Sequence, residues 1–200
     1  VLHAHLPYVR NPEEPHPLQE LWLYQNMMDC YIPLLRSLDS LSSRGIKGSL
    51  TLSLSPTLIA MLSDDYYRRR FIGYCALLER LAGKRSITDE PGLEGAVREF
   101  NAHLSSVREY FDSRGGDSIS CFKKLHDEGV IGLITTAATH ALLPAYRSCQ
   151  PLIAAQVNEG MRIFERHLGF RPQGFWLPEM GYHRGLDRQL MHCGVGYTML

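Results

Sequence analysis

The chain has 200 residues, 44% of them apolar and 21% charged. Those proportions exclude a disordered, collagen-like or coiled-coil chain and fit one globular domain or a part of one. Lys+Arg and Asp+Glu number 21 each, so the formal net charge is zero. That balance argues against nucleic acid or an anionic membrane as partner and fits a neutral substrate better. No apolar run approaches the roughly 20 residues that span a bilayer. Cys30, Cys75, Cys121, Cys149 and Cys193 are scattered and never spaced CxxC. This is a reduced pattern that points to the cytoplasm, without a disulfide framework or a structural zinc site. The chain opens on Val1 without a charged and apolar leader, so its N-terminus is expected to be a cut end.

Val1 to Leu6 alternates apolar with polar and stops at Pro7, as the end of a strand does. Asn11 to Pro17 holds three prolines and two acids and reads as a loop. From Leu18 to Ser43, Leu21, Tyr24, Met28, Tyr31, Leu35, Leu38 and Leu41 share one helical stripe. Pro33 lies inside it and predicts a kink or two helices. Gly48 to Ser55 has period 2 and reads as a strand closed by Pro56. Pro56 to Met61 starts a short helix. Further helices are expected at Asp64–Leu81, Glu94–Phe111, Ile119–Glu128, Leu152–Leu168 and Leu186–His192. Gly129–Thr136, Gly174–Leu177 and Gly194–Leu200 read as strands. Strands separated by helices imply a parallel sheet covered by helices, and the order fits the front part of a (β/α) barrel.

In such barrels the reactive side chains come from the carboxyl ends of the strands. His3 and His5 are two apart on a strand, so both imidazoles face one side. Three readings stay open: a metal pair, two hydrogen-bond donors to a sugar or anion, and two satisfied core histidines. Trp176, Glu179 and Tyr182 place a carboxylate beside an indole and a phenol at a strand end, which fits a sugar site. A solvated glutamate in a surface turn is the plain alternative. Thr139 and His140 follow a strand through small residues, either to let a ligand approach or to cap a helix. Asp64 and Asp65 read as an N-cap and a first-turn acid. Tyr66 to Arg70 reads as a solvated helix face.

Longer motifs carry a resemblance. LHAHLPYVR (Leu2 to Arg10), ELWLY (Glu20 to Tyr24), YIPLL (Tyr31 to Leu35), LTLSLSPTL (Leu50 to Leu58), IGLITTAATHALLP (Ile131 to Pro144) and FWLPEMGYHRGLD (Phe175 to Asp187) resemble, in order, the signatures of glycoside hydrolase family 57. The nearest branch is its 1,4-α-glucan branching enzymes; amylases and 4-α-glucanotransferases share the family. The resemblance implies an α/β fold, the N-terminal portion of an incomplete (β/α)7 TIM-like barrel. Residues 1–200 would form its front part, with the remaining strands and a C-terminal helical domain further on. It also implies an α-glucan substrate, no metal or other cofactor, and retaining glycosyl transfer. Glu179 would be the nucleophile, with an Asp acid/base beyond Leu200. His3, His5, Trp22, His140, Trp176 and Tyr182 would bind the glucan. A barrel that binds glucan without turnover is a further possibility. The sequence departs from the family pattern at Gly132, where Glu is usual, and at Met180, Arg184, Ala141 and Gln25.

Overall fold

Five parallel strands lie side by side in chain order: β1 (Leu2–Ala4), β2 (Leu50–Leu54), β3 (Ile131–Thr136), β4 (Gly174–Trp176) and β5 (Tyr197–Thr198). The computed structural model describes residues 1–15, 17–84 and 92–200. Each parallel step needs a crossover, and helices supply it. The helices are α1 (Leu18–Asn26), α2 (Ile32–Ser43), α3 (Pro56–Ser63), α4 (Asp65–Lys84), α5 (Leu93–Ser113), α6 (Ser118–Asp127), α7 (Gln150–Leu168) and α8 (Leu186–His192). All the expected strands and helices are present, most with ends moved by a few residues. The strand expected over Gly194–Leu200 shortens to two residues, and the loop expected at Asn11–Pro17 includes His16, which lies outside the described residues.

The break in the first long helix falls before Pro33. Residues Met27–Tyr31 form a π-helical turn between α1 and α2. Proline lacks an N–H and its ring crowds the carbonyl four residues back. A widened turn just upstream relieves that clash while the chain keeps its direction.

Period-2 alternation sorts the strand residues onto two faces. Leu52, Leu54, Leu133 and Phe175 are buried against the helices. The opposite, inner face carries His3, Ser53 and Ile134, which stand side by side in the ladder. Thr136 and Trp176 pair one step further on. Gly174 lies on this inner face because a Cβ there would stand 2.5 Å from Ile134 and 2.6 Å from the Tyr197 ring.

Hydroxyl groups tie the strand ends together. Thr135 donates to the Leu54 carbonyl, Thr136 to that of Trp176 at 2.7 Å, and Thr198 to that of Phe175. Helix α7 presses close to the end of β3. At Gly160 a Cβ would run into the Thr136 carbonyl oxygen, so only glycine permits this approach. Gln156 on the same helix accepts from Ala138 N through its carbonyl and from Thr139 N through its side chain, which fixes the turn leading to His140.

The Tyr66–Arg70 stretch is not the solvated face its charges suggest. Tyr67 is buried and its hydroxyl donates to the Val9 carbonyl. Arg70 donates to the Glu14 carbonyl at 2.7 Å and to Glu20 at 3.0 Å. Glu20 is wholly buried and also accepts from Asn11 N, Tyr24 and Tyr66. The proline- and acid-rich residues of this loop are mostly exposed and bury little apolar surface of their own. This carboxylate and Arg70 pin them to α1 and α4.

Candidate active site

The carboxyl ends of β1, β3 and β4 converge on one group of rings. His140 lies against His5 and His3 at centroid separations of 4.1 and 4.8 Å, His3 and His5 are 6.0 Å apart, and Trp176 lies against His3 at 5.0 Å. Their planes lie within 21° of parallel. His140 reaches the stack from the turn after β3 and meets Glu179 from the turn after β4, Nε2 to Oε1 at 3.5 Å. Its side chain is 9% exposed, whereas that of Glu179 is 75% exposed and open to an incoming ligand.

Backbone strain gathers at the same place. Among the described residues the non-glycine residues with positive φ are His140 (56°), Glu179 (54°) and Met180 (54°). Such residues cost about 1–3 kcal/mol each and concentrate at functional sites. Pro178 stops the ladder at β4, and the two left-handed residues behind it turn Glu179 away from the strand.

Burial first, and then the neighbouring charge that His140 would carry, lowers the His3 and His5 imidazoles to about 4. Burial also lowers His140, against the pull of the Glu179 carboxylate. His3 and His5 are therefore neutral near pH 7. A neutral imidazole has one N–H and one lone pair. His3 Nε2 and His5 Nδ1 are buried with no partner among the described residues. Among the described residues no three His, Cys, Asp or Glu side chains group as metal ligands would.

These pKa values carry a consequence for stability. In the unfolded chain His3 and His5 titrate near 6.5, but in the folded chain near 4. Between those values the unfolded state binds more protons, so stability falls as the medium is acidified through that window and is unaffected by these groups above it. Denaturant titrations at pH 7 and pH 4.5 should show this loss, and the double variant His3→Gln/His5→Gln should lose less.

Five of the seven residues singled out from sequence stand together: His3, His5, His140, Trp176 and Glu179. Trp22 lies half-exposed on α1, outside the stacked group. Tyr182 spends its hydroxyl on Asp187 at 3.1 Å. Trp176 does not offer both faces to a sugar, since His3 covers one of them. Gly132 sits near the start of β3 beside Thr51. At about 3.3 Å per residue it is about 13 Å from the Thr136 end. The buried Ser53 hydroxyl, 3.0 Å from His3 Nδ1, was not apparent from sequence. Only the register, which sets Ser53 opposite His3, identifies it.

A parallel sheet under helices, with a carboxylate and aromatic rings at its carboxyl edge, has the layout in which barrel enzymes place their reactive side chains. The whole chain, residues 1–200, matches the model of glycosyl hydrolase family 57, and the chain belongs to that family. It is 34% identical over 184 residues to a 1,4-alpha-glucan branching enzyme of Thermococcus kodakarensis, covering 91% of this chain and 26% of the relative. Among solved structures it superposes on an alpha-amylase of Thermotoga maritima with a TM-score of 0.90 at 35% identity, covering 98% of this chain and 38% of that one. A branching enzyme of Pyrococcus horikoshii gives 0.88 at 31%, with 98% and 40% covered. The chain thus spans a quarter to two fifths of these relatives, and its five strands are the N-terminal portion of the family's (β/α)7 barrel. No helix of the described residues is long and apolar enough to cross a membrane.

Proposed function

We propose that this chain is the front of the catalytic barrel of a 1,4-α-glucan branching enzyme, with Glu179 as nucleophile. The observation that carries the reading is Glu179 itself: an exposed carboxylate on a strained turn at a strand end, against a wall of neutral rings. A Glu179 oxygen attacks the anomeric carbon of an α-1,4 linkage. The C1–O4 bond breaks, and the leaving oxygen takes a proton from a second carboxyl group. We place that acid in the length of the relatives that this chain does not span; a retaining pair stands about 5–5.5 Å apart. The 6-hydroxyl of an acceptor chain then attacks the same carbon, returns its proton to that group and frees Glu179. Two inversions retain the α configuration.

Neutral histidines suit a neutral substrate: they donate or accept hydrogen bonds without bringing a net charge to desolvate. His140 touches Glu179 and can hold the carboxylate in place for attack. Trp22 and Tyr182, further out, would serve more distant glucose units.

The similarity to an alpha-amylase favours a second reading, transfer of the glucan chain to water. Full-length protein incubated with amylose distinguishes the two. Branching should lower the iodine colour while reducing ends stay nearly constant, and isoamylase should then release short chains. Reducing ends rising in step with the loss of colour would make the protein a hydrolase. No change in either would leave a glucan-binding barrel.

A further inference from the structure

The proton arrangement around His3 is set by a residue outside the stacked group. Ser53 lies on β2 directly opposite His3 and is wholly buried. Its hydroxyl has one hydrogen-bond partner among the described residues, His3 Nδ1 at 3.0 Å. If Nδ1 carried the proton and donated to Ser53, the serine hydrogen would be left buried with no acceptor. That arrangement costs the full desolvation of a hydroxyl donor. If the serine donates instead, both groups are satisfied and the imidazole proton sits on Nε2.

Resting on the catalytic reading above, we propose that Ser53 is a positioning residue that locks His3 as the Nε2–H tautomer, a neutral donor held for an oxygen of the bound glucose unit. His3 Nε2 is buried and has no partner among the described residues, as a donor reserved for a ligand would be. The lowered pKa of the ring keeps it from becoming a cation that donates at both nitrogens.

The test is nitrogen-15 NMR of the full-length protein at pH 7, with the His3 signals assigned by their loss in His3→Gln. The proposal requires the shift pattern of an Nε2–H imidazole in the wild type. An Nδ1–H or imidazolium pattern overturns it with no variant needed. Ser53→Ala should then give averaged tautomer shifts and about a tenfold fall in kcat with KM little changed. Ser53→Thr, which keeps the hydroxyl, should recover both. A tautomer unmoved by Ser53→Ala also overturns the proposal, whatever the activity. The spectrum is read without turnover, so a failure of the glycosyl-transfer reading is a separate result, visible as an active Glu179→Gln enzyme.

Discussion

Glu179→Gln in the full-length protein should lower turnover by about 10³-fold or more, equivalent to about 4 kcal/mol of lost transition-state stabilisation. The amide is close in size but is a poor nucleophile. The fold should not notice the change, because the side chain is mostly exposed and pairs with His140 at its edge. Glu179→Gly should be equally inactive yet more stable than the wild type, by about 1 kcal/mol. Glycine adopts φ near 54° at no steric cost, whereas glutamate is strained there. A protein that gains stability when its candidate nucleophile is removed is holding that residue for chemistry. Equal or lower stability of the glycine variant in chemical denaturation would remove the strain argument. More than a tenth of wild-type activity in the glutamine variant would remove the nucleophile.

Glu20→Leu is expected to have the largest effect on stability, a loss of about 3–5 kcal/mol, because it strands buried partners of a buried charge. Arg70, two tyrosine hydroxyls and Asn11 N would all lose their acceptor. Burial alone would raise the Glu20 carboxyl; the Asn11 N–H, Tyr24, Tyr66 and Arg70 outweigh it and hold it below the usual carboxylate range. A lowered pKa means that the stabilisation is complete above the unfolded value and is lost as pH falls through the folded one. Wild-type stability should therefore keep dropping in the acid range below that of an ordinary glutamate, and Glu20→Gln should flatten that part of the curve. The consequence for function is local. The loop between β1 and α1 follows His5 directly, and it is held by this carboxylate, by Tyr67 on Val9 and by Arg10 on Asp64.

The strands and helices were legible because their signals are short-range. Period 2 with threonine and leucine marks β2, and Pro7, Pro56 and Pro178 mark where ladders stop. His3 and His5 could be placed on one face by spacing, and Glu179 at a strand end by the proline before it. What spacing could not give is anything that depends on register. His3 meets Ser53 fifty residues away, and Glu20 meets Tyr66 and Arg70 across 46 and 50 residues. The charges of Tyr66–Arg70 read as a solvated face because nothing local reveals a buried carboxylate elsewhere. The left-handed turns at His140, Glu179 and Met180 were equally hidden, since none is glycine and, of the three, only histidine has any leaning toward that region. The π-helical turn upstream of Pro33 shows the same limit: the proline announces a disturbance but not on which side the helix will absorb it.

If Glu179 is the nucleophile, a glucosyl unit is carried on it as an ester, and that ester can be trapped. Full-length protein treated with a fluorinated α-glucosyl fluoride, which forms the ester faster than it is discharged, should be digested and sequenced by mass spectrometry. One glucosyl adduct is expected on the peptide containing Pro178-Glu179-Met180, absent in Glu179→Gln. An adduct on another carboxylate, or turnover of the reagent with inversion and no adduct, would contradict this assignment.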